Sequence, residues 1–233
     1  MITISAFKWV PPFAQGLVRD LRVRWALNEA AAPYRTRLID AGEQGSAGYR
    51  ALQPFGQVPA FEEDGLVLFE SGAIVLHIGA RSAALLPGDE PARARAITWL
   101  FAALNTIEVV VQPLAEIDLF YAGQEWAQRR RPDLEKRVRL RLSELAARLG
   151  NRQYLEERFT VGDLMMTTVL RILRHTRLVE AEPLLEAYQA RCEARPAFQR
   201  ALQEQMAAFE TPDDAAPSQD KAGSHAPAGS RYA

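Results

Sequence analysis

Over residues 2–9 hydrophobic and polar positions alternate loosely, with Ile2, Thr3, Ile4 and Phe7 supplying strand-forming side chains before Pro11-Pro12. This predicts a first strand ending near Lys8 or Trp9. From about Gln15 to Ala31 the apolar positions shift to helical spacing, with Leu17, Leu21 and Trp25 at i, i+4 and i+8. A second strand fits Tyr34 to Ile39, beyond the Ala32-Pro33 break. Residues 41–56 are rich in Gly, Ser and Gln and predict a short irregular helix or loop. Pro59 to Glu62 and Leu66 to Phe69 flank Glu63-Asp64-Gly65, which is a hairpin signal. Helical spacing then runs from Ser71 to about Ala84.

The predicted order β-α-β-α-β-β-α is that of a thioredoxin-like α/β sheet, expected over residues 1–84. Leu85 to Pro91 reads as a linker, because two prolines and a glycine interrupt helical sequence on both sides. An all-α helical domain is expected over 92–210, opening with a long apolar helix or helix pair from 92 to about 121. Pro132 fits a first-turn proline, ahead of a stripe of Leu134, Val138, Leu142, Leu145 and Leu149 that stops at Gly150-Asn151. Thr160-Val161-Gly162-Asp163 has capping-box spacing, with Phe159 and Leu164 placed as a hydrophobic staple. Further helices fit 182–194 and 196–209. The segment 211–233 combines Pro, Ala, Gly, Ser and Asp with a lone aromatic residue, Tyr232, and is expected to be a disordered tail.

Composition narrows the classes of function. With 233 residues the chain has ample core, and its formal net charge of -1 gives no sign of a nucleic-acid partner. The run Arg129-Arg130-Arg131 reads as a solvated helix approach. The start has no basic region followed by a long apolar stretch, and no run reads as the roughly 18 apolar residues of a membrane span. One cysteine, Cys192, rules out an internal disulfide and a Cys-x-x-Cys pair. A soluble, cytoplasmic protein is expected, with no membrane partner. No His, Cys or carboxylate set has metal-ligand spacing, so no metal is expected.

Two motifs carry candidate binding chemistry. In Gly56-Gln57-Val58-Pro59-Ala60-Phe61 a proline heads an apolar strand, and a Val-Pro bond is one of the few that can be cis. Such a bond aims the preceding backbone outward, so that Val58 presents N–H and C=O to an extended ligand in the manner of strand addition. In Leu68-Phe69-Glu70-Ser71-Gly72, Ser71 opens a helix whose free N–H groups and hydroxyl suit a carboxylate, while Glu70 suits an ammonium.

With their spacing and their place after a βαβ-like segment, these motifs resemble the glutathione-binding domain of the cytosolic glutathione S-transferases, a likeness that extends over about residues 2–205. The resemblance implies a homodimer with glutathione as co-substrate. By it, Val58 beside Pro59 pairs with the cysteinyl backbone, Glu70 and Ser71 hold the γ-glutamyl amine and carboxylate, and Gln57 approaches the glycine end. The implied activity is attack of the thiolate on an apolar electrophile. Asn105 and Glu108, at i and i+3 beyond Trp99 and Phe101, fall in the helix that by resemblance borders the electrophile pocket and the partner subunit.

Activation of the thiol is the weaker part of the pattern. Family members place a Ser, Tyr or Cys between the first strand and first helix, but no hydroxyl or thiol occurs from Ala6 to Arg24. Plant-type transferases carry Trp-x-Ser-Pro-Phe, and the match to Trp9-Val10-Pro11-Pro12-Phe13 puts Pro11 at the serine. Proline has neither side-chain donor nor N–H. About six extra residues, Gln15 to Asp20, also precede Arg22-Val23-Arg24-Trp25-Ala26-Leu27. Three substitutes stand open: helix-start N–H groups of Ala14, Gln15 and Gly16, the Gln15 side-chain amide, and the charge of Arg19. Trp9 and Phe13 fit the mouth of the apolar site. The rival reading is a non-catalytic glutathione- or hydrophobe-binding protein, and a narrower one is a glutathione-dependent isomerase or peroxidase.

Overall fold

The computed structural model describes residues 1–210, and the tail expected at 211–233 lies outside the described residues. Strand β1 (Ile2–Phe7) pairs in parallel with β2 (Tyr34–Ile39), Ile2 standing opposite Tyr34 and Phe7 opposite Ile39. On its other side β1 pairs antiparallel with β3 (Phe61–Glu63), which returns as β4 (Leu66–Leu68), giving the order β2-β1-β3-β4. Both turn residues of this hairpin, Asp64 and Gly65, have positive φ (48° and 86°), as an Asp-Gly pair readily adopts. Alternation along β1 separates two cores. Ile2 and Ile4 enter the large one, whereas Phe7 enters a smaller one with Val10, Tyr49 and Val58.

Helix α1 (Asp20–Glu29) begins five residues later than helical spacing suggests, and β1 ends at Phe7 rather than Lys8 or Trp9. Residues 12–18 are turns instead, with Gly16 at φ 76°. Leu17 therefore precedes the helix. Asp20 to Leu27 are buried on every side, because α1 packs against β1, α4 (Ser71–Gly79), α8 (Val161–Leu170) and α10 (Pro196–Glu210). The irregular stretch after β2 holds two short helices, α2 (Ala41–Gln44) and α3 (Ala47–Arg50), capped by Asp40 and Ser46. Helix α4 stops at Gly79, short of Ala84. A Cβ at Gly79 would stand 2.7 Å from Val161 Cγ1, and the chain turns away so that the Leu85 carbonyl accepts the Val161 N–H at 3.0 Å.

The expected long apolar helix is α5 (Glu90–Ala102) and α6 (Val109–Phe120), joined without a break by a π-helical turn at Ala103–Glu108. Its 31 residues, with mean hydropathy 1.4 in the most apolar window, are long and apolar enough to cross a membrane. This corrects the expectation that no such run exists. The helix lies here within the helical part, packed on α8 and α7 (Glu125–Leu149). Pro132 sits well inside α7 rather than in its first turn. The arginine run belongs to that helix: Arg129 pairs with Glu125 at 3.1 Å, and Arg131 donates to Asp118 at 2.8 and 3.0 Å. Helix α8 is buried throughout and opens on the Thr160–Asp163 capping box. Asp163 also accepts from the Leu155 N–H at 2.8 Å and the Tyr188 hydroxyl at 3.0 Å. A 3-10 turn (Arg171–His175) and α9 (Pro183–Glu193) lead to α10, which returns to α1.

Candidate active site

The loop before β3 is held by a buried hydroxyl network. Ser5 Oγ accepts the Ala60 N–H at 2.7 Å and lies 2.8 Å from the Tyr49 hydroxyl, which donates to the Gln57 carbonyl at 2.6 Å. Ser5 is thus committed to its neighbours. Within this clamp the Val58-Pro59 bond is cis. The Val58 side chain is buried in the smaller core, and among the described residues none bonds its backbone N–H or C=O.

Beside it, α4 begins at a conformationally costly residue. Glu70 has φ 68° and ψ 112°, unusual for a residue with a side chain, and makes no capping bond. The first N–H groups of α4 are consequently open, and Ser71 is buried next to them. A Cβ at Gly72 would come within 2.6 Å of Leu104 Cδ1, so this helix start is pressed against the π turn.

That turn brings Glu108 to the arginines of the first part of the chain. One Glu108 oxygen, Oε1, accepts from Arg19 at 2.8 Å and from Arg22 at 3.0 Å, while Arg22 also donates to Ser71 Oγ at 3.3 Å. Burial disfavours charge on Glu108, but the Arg22 and Arg19 guanidiniums outweigh it and hold the carboxyl at about 2. The same burial draws Arg22 down from its ordinary value, which leaves a guanidinium cationic.

These pieces enclose a cleft of about 580 Å³, sufficient for a small-molecule ligand. Its walls include Gln57, Val58, Pro59, Glu70, Ser71, Asn105 and Glu108. Arg19 and Arg22 also line a much narrower crevice of about 60 Å³, whose apolar walls are Phe13, Leu17, Leu119, Phe120 and Ile172. Phe13 meets Phe120 edge to face at 5.2 Å. The crevice wall is fastened from a distance: Arg174 donates to the carbonyls of Phe13 (2.8 Å) and Gln15 (2.7 Å), and Arg171 to that of Gly16 (3.4 Å).

Two of the three substitutes for a hydroxyl are placed differently from the sequence expectation. The N–H groups of Ala14 and Gln15 do not open a helix; they close turns onto the carbonyls of Pro11 (2.8 Å) and Pro12 (3.3 Å). The Gln15 amide donates to the Val10 carbonyl at 3.3 Å, and Gln15 lines neither cavity. Trp9 is exposed and lines neither. Arg19 does line both. Arg22, Tyr49, Gln112 and Glu116 were not singled out by sequence. Gln112 and Glu116 follow Glu108 at i+4 and i+8, a helical spacing that carried the signal; the roles of Arg22 and Tyr49 depend on partners 86 and 44 residues away.

Cys192 takes no part: it is buried, and burial pushes its thiol up to about 12. Among the described residues no cluster of three His, Cys, Asp or Glu could hold a metal ion.

Several known proteins resemble this chain. A sequence model described as glutathione S-transferase, N-terminal domain, matches residues 15–80. A glutathione S-transferase of Hyoscyamus muticus is 29% identical over 182 residues, covering 71% of this chain and 82% of that protein. A probable glutathione S-transferase of Oryza sativa subsp. japonica is 30% identical over 189 residues, covering 75% and 86%. The theta class glutathione S-transferase of Xanthomonas axonopodis pv. citri, solved with glutathione bound, superposes with a TM-score of 0.71 at 28% identity, covering 86% of this chain and 96% of that one. Glutathione transferase F7 of Populus trichocarpa superposes with a TM-score of 0.76 at 24% identity, covering 88% and 99%, a likeness of fold.

Proposed function

Because the chain belongs to the glutathione S-transferase family, we propose that its cleft binds glutathione and delivers the thiolate to an apolar electrophile held in the adjoining crevice. The carrying observation is the convergence, on one cavity, of an unbonded Val58 backbone, an open helix start at Ser71 and the carboxylate of Glu70. In this reading Val58 pairs with the cysteinyl backbone, Ser71 and the α4 amides take the γ-glutamyl carboxylate, Glu70 takes the amine, and Gln57 lies toward the glycine end.

Activation then falls to charge. A free thiol, with a pKa near 8.5, is only a few per cent ionised at neutral pH, and a nearby cation lowers that value. Arg19 and Arg22 share a single carboxylate, so their cluster keeps one uncompensated positive charge where the cleft meets the crevice. The sulfur attacks the electrophile with loss of a leaving group or opening of a double bond, and the thiol proton passes to solvent. We further propose a homodimer. Phe55 (66% exposed) and Phe69 (37%) form an edge-to-face pair at 6.1 Å, leaving an apolar surface for a second copy.

The test is calorimetric titration with glutathione together with ultraviolet difference spectra of the bound thiol. Binding with a lowered thiol pKa, lost in Arg19→Ala, is the expected result. Pro11 and the lack of any hydroxyl from Ala6 to Arg24 favour a second reading, binding without activation. Tight binding with an unshifted thiol pKa would select it, and no binding in the millimolar range would sink both.

A further inference from the structure

Where the cleft and the crevice adjoin, one charged side chain is left without a partner. Glu116 lines both cavities, is half-buried, and makes no hydrogen bond or ion pair among the described residues. It lies one turn beyond Gln112 and two beyond Glu108 on the same face of the continuous helix. Arg19 and Arg22 both donate to Glu108. Phe13 and Phe120, packed edge to face, stand in the same crevice wall.

Charge makes this arrangement selective. Five charged residues line the two cavities: Arg19 and Arg22 against Glu70, Glu108 and Glu116. Resting on the glutathione reading above, the co-substrate adds two carboxylates and a thiolate against one ammonium, so the occupied site has excess negative charge. Glu108 is answered by arginine and Glu70 by the glutathione amine. Glu116 has no ion-pair partner among the described residues, and the crevice it lines is also walled by aromatic side chains, which themselves favour a cation. A neutral electrophile would cover this carboxylate without compensating it, and an anionic one would be repelled.

We propose that the electrophile carries a positive charge, an alkyl- or arylammonium group held between Glu116 and the Phe13–Phe120 pair. Glu116 is then the residue that determines electrophile specificity, and Gln112 offers its amide to whatever polar linkage joins the cation to the reacting carbon. Nucleophilic attack at that carbon leaves the cation in place, so the conjugate retains the same contact.

Because the conjugate retains the contact, the proposal can be tested by binding alone. Calorimetry on the full chain would compare S-benzylglutathione with its para-trimethylammonio analogue, for the wild type and for Glu116→Gln. The expected result is about tenfold tighter binding of the cationic conjugate by the wild type, weakened by salt. In Glu116→Gln that preference should vanish while the neutral conjugate binds at least as tightly as to the wild type, which also reports an intact fold. Equal or weaker binding of the cationic conjugate by the wild type overturns the proposal, as does a preference that survives in Glu116→Gln. If neither conjugate nor glutathione binds, it is the glutathione reading that has failed, and the proposal falls with it.

Discussion

Glu108 joins the two parts of the molecule at the level of a single oxygen. Its Oε1 accepts from two guanidiniums, one of them buried, so neutralising it leaves Arg22 uncompensated in the interior. Glu108→Gln should destabilise the protein by about 3–5 kcal/mol, read as a lower urea midpoint. The pH dependence has a definite sign. The folded carboxyl stands at about 2 against an ordinary 4.5, so its contribution is present in full above about 4.5 and is lost as pH falls toward 2. That shift corresponds to roughly 3 kcal/mol, and the acid limb of a stability profile over this range should flatten in Glu108→Gln. At this scale the cleft-lining residues Val58, Glu70 and Ser71 were legible, since a proline-headed strand and a helix start state their own backbone chemistry. Arg22 was not, because a guanidinium in a helical sequence looks the same whether it meets water or a buried carboxylate.

Elements were placed most reliably where their signals are local. The capping box at Thr160, the hairpin at Asp64-Gly65 and the stripe from Leu134 to Leu149 each depend on neighbours within a turn or two, and each lies where its spacing puts it. The misses are helix ends decided by contact. Helix α1 starts late because Arg171 and Arg174 hold the preceding carbonyls, and α4 stops early against Val161. Close approach also governs α8 and α5: a Cβ at Gly162 would stand 2.5 Å from Trp99 Cβ and 3.1 Å from the Ala96 carbonyl. Backbone atoms cannot swing aside as a side-chain tip can. Gly162→Ala should therefore cost about 1–3 kcal/mol, measured as a drop in thermal midpoint with the capping box left in sequence.

For the whole molecule, one large apolar core runs from Ile2 and Ile4 of the sheet to Phe198 of α10, so the sheet and the helices are packed together rather than strung apart. The apolar surface it leaves at Phe55 and Phe69 leads to the remaining prediction. Sedimentation should give a dimer, and Phe55→Ser should shift it toward monomer without unfolding the chain, since Phe55 is mostly exposed and contributes little to the core. The sequence by itself determined the order of strands and helices, the family and the backbone features that line the cleft, because periodicity, turn chemistry and capping act over a few residues. Tertiary structure alone decided that Arg19 and Arg22 meet Glu108, that Gln15 turns away from the cleft, and that Glu116 lines it with no ion-pair partner among the described residues. Those outcomes depend on which charges share a buried volume, and residues far apart along the chain acquire that relation only once it is folded.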